Sequence, residues 1–173
     1  MLNSAPNNSK YNQGNYIPKY KDKLVKLNSQ GGVYFRSSLE KRLMLYLDHN
    51  EKITRWGAEC MKVNYQRQNL NGDGIKNHTY YPDFYYELRD DQGVLKQVVV
   101  EVKPMKDYKM VQMLREKKLK VPEKGLKKLK NFEYDLKEAY KNKCKWDAMI
   151  KWCNKKGYKF IIITEEHLKK FNV

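Results

Sequence analysis

The chain has 173 residues, enough for one domain with a real core, and 40% of them are hydrophobic. Lys and Arg number 36 against 20 Asp and Glu, a formal charge of +16, and with 14 tyrosines to five phenylalanines much of the apolar content is amphipathic. That balance speaks against a membrane-embedded chain and asks for an anionic partner; nucleic acid fits better than a membrane surface, because the lysines are spread over loops and helices rather than set on one basic helix with a wide apolar face.

Residues 1–30 are rich in Asn, Ser, Tyr and Lys and show no period, so they read as an extended basic and aromatic N-terminal arm, with residues 31–173 forming the domain. Its Tyr11, Tyr16, Lys19, Tyr20, Lys21 and Lys23 suit contact with DNA or a protein partner, or a frayed terminus. After Gly31-Gly32 the spacing of Leu39, Leu43, Tyr46 and Leu47 predicts an amphipathic helix, and Ser37 with Glu40 three residues on is a capping box. Glu40 therefore has a structural role open to it, bonding back to the cap. Arg36 is placed to contact a phosphate or to pair with a carboxylate.

Residues 53–56 and 61–65 read as a turn followed by a strand, with Trp56 packed in the core beside Gly57 and Glu59 facing solvent or supporting a neighbouring site. Residues 69–74, Asn-Leu-Asn-Gly-Asp-Gly, form a hairpin turn rather than a calcium loop, since the acidic ladder of such a loop is missing. The aromatic run 80–88 and the valine-rich run 96–103 flank Asp90-Asp91-Gln92-Gly93 and predict a β-hairpin. Strands over 61–66, 79–88 and 94–103 are then expected to form an antiparallel meander with the first helix on one face.

Residues 105–124 carry six lysines, Lys106 and Lys109 among them, and read as a basic flap or a solvated loop. A basic amphipathic helix over 126–140, opening with Leu126-Lys127-Lys128, is followed by a second helix whose core face is Trp146, Met149, Ile150 and Cys153 and whose stop is Gly157. Residues 160–164 make a buried strand, parallel to a neighbour because it returns after a helix, and 165–171 a short closing helix. Three cysteines without a CxxC pair and three scattered histidines indicate neither a zinc site nor a disulfide framework. With no signal peptide or long apolar run, the expected setting is a reducing cytoplasm or an intracellular assembly.

The chemistry follows from the hairpin's register. A turn centred near residue 92 sets Asp83 opposite Glu101, and alternation puts Glu101 and Lys103 on one polar face while Val98, Val100 and Val102 point into a core. Two carboxylates held this close beside the most hydrophobic strand call for a cation, and magnesium is the natural choice for oxygen donors. A lysine alongside can position a metal-bound water or stabilise phosphoryl charge, which makes the set suitable for phosphodiester hydrolysis. The plainer alternative is that all three are solvent-face residues of an amphipathic hairpin.

Pro82-Asp83 followed by Glu101-Val102-Lys103 resembles the core motif of the PD-(D/E)xK nuclease superfamily. Tyr34-Phe35-Arg36-Ser37-Ser38-Leu39-Glu40, Trp56-Gly57-Ala58-Glu59, Tyr81-Pro82-Asp83-Phe84, Glu101-Val102-Lys103-Pro104 and Lys145-Trp146 resemble the head completion nucleases of contractile-tailed bacteriophages, from about Tyr34 to the C-terminus. The core is also similar to a transposon end-cleaving endonuclease and to archaeal junction resolvases.

The resemblance implies an α/β fold with a restriction-endonuclease-like core, a mixed β-sheet flanked by helices. It implies a Mg²⁺-dependent deoxyribonuclease, with Mn²⁺ as a substitute, acting late in virion assembly when the packaged head is prepared for the tail. DNA and phage head and neck proteins would be its partners, with no membrane, and its place the host cytoplasm and then the virion. The catalytic set carried over is Glu40, Asp83, Glu101 and Lys103; Asp83, Glu101 and the Val102 main-chain carbonyl bind the metal, Glu40 joins them directly or through water, and Glu59 supports the site. Arg36, Lys106, Lys109, Lys127 and Lys128 are candidates for DNA-backbone contacts on charge alone. Two rivals stand beside this: a non-enzymatic DNA-binding or head-tail joining protein on the same scaffold, and a transposase-associated or junction-specific endonuclease.

Overall fold

The computed structural model describes residues 12–70, 72 and 74–170. In chain order its elements are β1 (Gly14–Tyr16), β2 (Val33–Phe35), α1 (Ser38–His49), β3 (Ile53–Ala58), β4 (Val63–Gln68), β5 (Ile75–Tyr80), β6 (Phe84–Arg89), β7 (Leu95–Val102), α2 (Met105–Arg115), α3 (Leu126–Lys156), β8 (Lys159–Ile163) and α4 (Glu165–Lys170). The central sheet runs β3-β6-β7-β8; its first three strands are antiparallel, and β8 lies parallel to β7 as the return through a helix requires. The fold is therefore α/β with a mixed sheet between helices.

The valine run of β7 has two buried faces. Val98, Val100 and Val102 pack with Leu43, Met44 and Leu47 of α1, Trp56, Phe84, Ile163 and Leu168 of α4. Val99 packs the other way, against Met149 and Cys153 of α3 and Tyr80 and Tyr85. α2 packs on α3 through Val111, Ala139 and Trp146, a cluster that Phe160 and Ile162 of β8 also join. The face that carries Glu101 is thus roofed by a helix rather than turned to solvent, against the plainer alternative of an amphipathic hairpin's solvent face.

Four further expectations change. The meander is broken at Pro82: β4 and β5 form a separate two-stranded hairpin, and the sheet neighbour of β6 is β3, over residues expected to be a turn. A proline gives no N–H to a ladder, so the run 79–88 cannot continue as one strand. The two helices expected over 126–157 are one helix of 31 residues, about 46 Å long, because nothing between Tyr140 and Trp146 breaks it; Gly157, at φ 71°, ends it. The flap expected over 105–124 begins as α2, whose Tyr108, Val111 and Leu114 form an apolar stripe against α3.

Of the expected arm, residues 1–11 lie outside the described residues. From Gly14 on, it belongs to the domain. β1 pairs with β2, and the buried Asp48 at the end of α1 accepts bonds from the Tyr16 hydroxyl (2.7 Å), the Lys19 N–H (2.7 Å) and the Tyr20 N–H (3.1 Å). A buried carboxylate needs such donors, and this aperiodic segment supplies them. Burial, followed by the bond to Asp48, raises the Tyr16 phenol. Among the described residues no helix is long and apolar enough to cross a membrane.

Candidate active site

The β6–β7 register is the expected one: Phe84 faces Val100 and Tyr86 faces Val98. The turn is tied by Asp90, whose carboxylate accepts the Gln92 and Val94 N–H groups (3.0 and 2.9 Å), and Gly93 takes φ 79°. Carried two residues past Phe84–Val100, the register sets Pro82 opposite Val102. Lys103 gives its N–H to Ile163 on the β8 side, so Val102 presents its N–H and C=O to the β6 side. There Pro82 has no N–H to offer the Val102 carbonyl. The Val102 N–H instead donates to Asp83 Oδ2 at 2.7 Å, a side chain taking over where the ladder stops.

Glu101 is 2% exposed. Its Oε2 accepts the Tyr80 hydroxyl at 2.5 Å and its Oε1 pairs with Lys103 Nζ at 2.9 Å. Desolvation first, then the charge of Glu101, push the Asp83 carboxyl up to about 8, against the pull of Lys103 and the Val102 N–H. Burial works against the Lys103 ammonium, yet Glu101 and Asp83 outweigh it and its pKa stands above the ordinary lysine value. Desolvation and Glu101 also raise the Tyr80 phenol, which stays a hydrogen-bond donor.

Asp83, Glu101 and Lys103 are therefore brought together, with the Val102 carbonyl on the Asp83 edge. Among the described residues no group of three His, Cys, Asp or Glu stands close enough to hold a metal by itself. Two carboxylates and a ladder-free carbonyl nevertheless fit a hard cation that keeps several waters and takes phosphate oxygens, the habit of Mg²⁺. Such an ion would also offset the desolvation and the charge of Glu101 that raise the Asp83 carboxyl.

A cavity of about 240 Å³ opens beside Asp83, walled by Tyr34, Arg36, Glu40 and Glu59. Glu40 makes the capping box: its own N–H donates to Ser37 Oγ (3.2 Å), while its carboxylate accepts the Ser37 hydroxyl (3.1 Å) and the Arg36 N–H (2.8 Å). It still faces the cavity, and its charge helps to raise Asp83. Glu59, in the left-handed region at φ 46°, pairs with the Arg36 guanidinium and gives its N–H to the Asp83 carbonyl (3.0 Å). Of the two roles open to Arg36, the structure displays the carboxylate pair.

Lys106 pairs with Asp135 at 2.8 Å and Lys109 is exposed on α2. Lys127 and Lys128 lie exposed in the first turn of α3, about 27 Å along the helix from Lys145, so they are not part of the constellation. Sequence reasoning missed Tyr80. Its one signal is its place at the start of the aromatic run, three residues before Asp83. It also missed that the Lys145 ammonium stands 5.7 Å from the centre of the Tyr80 ring.

A family model described as TnsA-like endonuclease N terminal matches residues 50–165, about two thirds of the chain and the segment that holds Asp83, Glu101 and Lys103. The chain is also 28% identical over 137 residues to a protein of Enterobacteria phage T4 named head completion nuclease, covering 79% of this chain and 81% of that protein.

Proposed function

The chain belongs to the TnsA-like endonuclease N-terminal family, and from that premise we propose that it is a metal-dependent deoxyribonuclease of late virion assembly. The observation that carries the nuclease reading is the half-buried Asp83 beside the buried Glu101, with Lys103 Nζ 2.9 Å from Glu101. The assembly role, with head and neck proteins as partners, trimming of packaged DNA, action in the host cytoplasm and retention in the virion, rests on the similarity to the phage T4 protein.

In this reading Asp83, Glu101 and the Val102 carbonyl hold Mg²⁺, or Mn²⁺ in its place, and Glu40 reaches it directly or through water. When bound, the ion supplies Lewis-acid activation of the scissile phosphate and of an attacking water. Lys103 orients that water and faces the charge that grows on the phosphoryl oxygens. Tyr80 fixes the Glu101 carboxylate by holding Oε2, so that Oε1 is left to Lys103. The Arg36–Glu59 pair sets the wall beside Asp83, and Lys106, Lys109, Lys127 and Lys128 contribute sequence-independent attraction to the DNA backbone.

The test is cleavage of linear and supercoiled duplex DNA, with Mg²⁺ and with chelator, for wild type and Asp83→Ala at equal DNA binding. Metal-dependent cutting by wild type, lost in the variant, is expected, and the supercoiled substrate separates endonuclease from exonuclease action. Binding without any cutting under Mg²⁺ or Mn²⁺ would leave the non-enzymatic joining protein as the better reading.

A further inference from the structure

A second cavity of about 240 Å³ lies between α2 and α3 on the far side of Lys103. At roughly 30 Å³ per water it has room for about eight waters, or for a phosphodiester group with part of its hydration. Its lining is polar, and its charges are mostly taken. Lys106 is paired with Asp135 at 2.8 Å, and Glu138 with Lys141 at 2.5 Å. Asp107 lies close enough to add to the fields of Lys103 and Lys106.

Two groups on α3 stand apart. Asn142 is 8% exposed and lines the cavity, yet its amide makes no side-chain hydrogen bond among the described residues. The amide atoms are not sealed from solvent but open into this wet, polar slot, where water or a ligand is the partner within reach. Lys145, one turn on, has no carboxylate partner among the described residues; its ammonium sits over Tyr80, the ring whose hydroxyl binds Glu101. The contacts Lys145–Tyr80–Glu101–Lys103 therefore run continuously from the slot to the candidate active site.

We propose that this slot is a phosphate subsite, in which the Asn142 amide and the Lys145 ammonium hold the backbone phosphate next to the bond that is cut. The proposal rests on the nuclease reading above. An amide N–H and an ammonium are both donors to phosphate oxygen, and neither reads a base, so the subsite fixes register along a strand without sequence preference. Successive phosphates of one strand are about 3.4 Å apart along the helix axis, which makes the neighbouring phosphate the one within reach of a slot that adjoins Lys103. Asn142 and Lys145 are positioning residues here, not catalytic ones.

The test uses the full chain and a duplex oligonucleotide. Binding is measured against salt in chelator, and steady-state cleavage in Mg²⁺. Lys145→Ala should lower the salt slope by about one and raise KM about tenfold with kcat within about twofold, and Lys145→Arg should restore both. Asn142→Asp, which sets a negative charge against the phosphate, should raise KM further, while the thermal midpoint of both Lys145 variants stays near wild type. Wild-type salt slope and KM in both Lys145→Ala and Asn142→Asp would overturn the subsite even if the wild type cuts DNA well. A wild type that never cuts while Lys145→Ala still loses one unit of slope would remove the nuclease reading and keep the phosphate site.

Discussion

The two faces of β7 carry the contrast on which the molecule is built. Val98, Val100 and Val102 meet α1 and α4 in a dry core, whereas Val99 and Glu101 alternate with them beneath α3, and Glu101 is as buried as the valines. A carboxylate is costly in such a place, and its cost is offset by Tyr80, by Lys103 and, in our reading, by a cation. One strand thus packs the core from its even side chains and from Val99, and sets its charged side chains, Glu101 and Lys103, on the odd face.

The sharpest way to separate the faces is through Lys103. Lys103→Ala should lower kcat per folded molecule about 100- to 10,000-fold, and lower the thermal midpoint as well, since the buried Glu101 loses its ion-pair partner; a variant that keeps more than a tenth of wild-type turnover breaks the division. Val100→Ala should touch stability alone, costing about 2 kcal/mol in denaturant unfolding while turnover per folded molecule stays within about twofold. A large kinetic defect in that variant would mean that the dry face also shapes the site.

The pH dependence is a further probe. Asp83 titrates at about 8 in the folded chain against 3.8 as the ordinary value. The folded state therefore holds the extra proton more tightly, and this contribution to stability is complete below about pH 4 and lost as pH rises through about 8. Thermal midpoints of the metal-free protein should fall over that range, and Mg²⁺ should recover most of the loss at the alkaline end, since the metal displaces the proton. Equal pH profiles for wild type and Asp83→Asn would contradict this. The smallest effect belongs to Tyr80→Phe, which keeps the ring under Lys145 and removes the donor to Glu101. About 1 kcal/mol of stability should go with it, read by denaturant unfolding, and an unchanged midpoint would show that Glu101 finds another donor.

The hairpin register was legible because Asp90 to Gly93 can turn in few ways and a one-residue slip would move every valine of β7 to the wrong face. Helix α1 was legible from Ser37 and Glu40, and the same box explains why the carboxylate of Glu40 is turned to the cap. What escaped the sequence lies where tertiary contact overrides local pattern. The described part of the expected arm has no period because it is held by hydrogen bonds to Asp48 rather than by an apolar stripe. The break at Pro82 was visible as a residue, but its consequence, a carbonyl at Val102 without a ladder donor and a strand β5 diverted from the sheet, depends on the partner strand. Tyr80 and Lys145 meet only because α3 runs unbroken across the sheet, and no spacing along the chain relates residues 65 positions apart.

In the proposed reading the Asp83–Glu101 pair is a metal centre. Its most direct measurement is the anomalous scattering of Mn²⁺ in crystals of the wild-type protein, with Asp83→Asn as the control. One ion is expected between Asp83, Glu101 and the Val102 carbonyl, absent from the variant. An empty site in crystals of a protein that cuts DNA in the presence of chelator would contradict it.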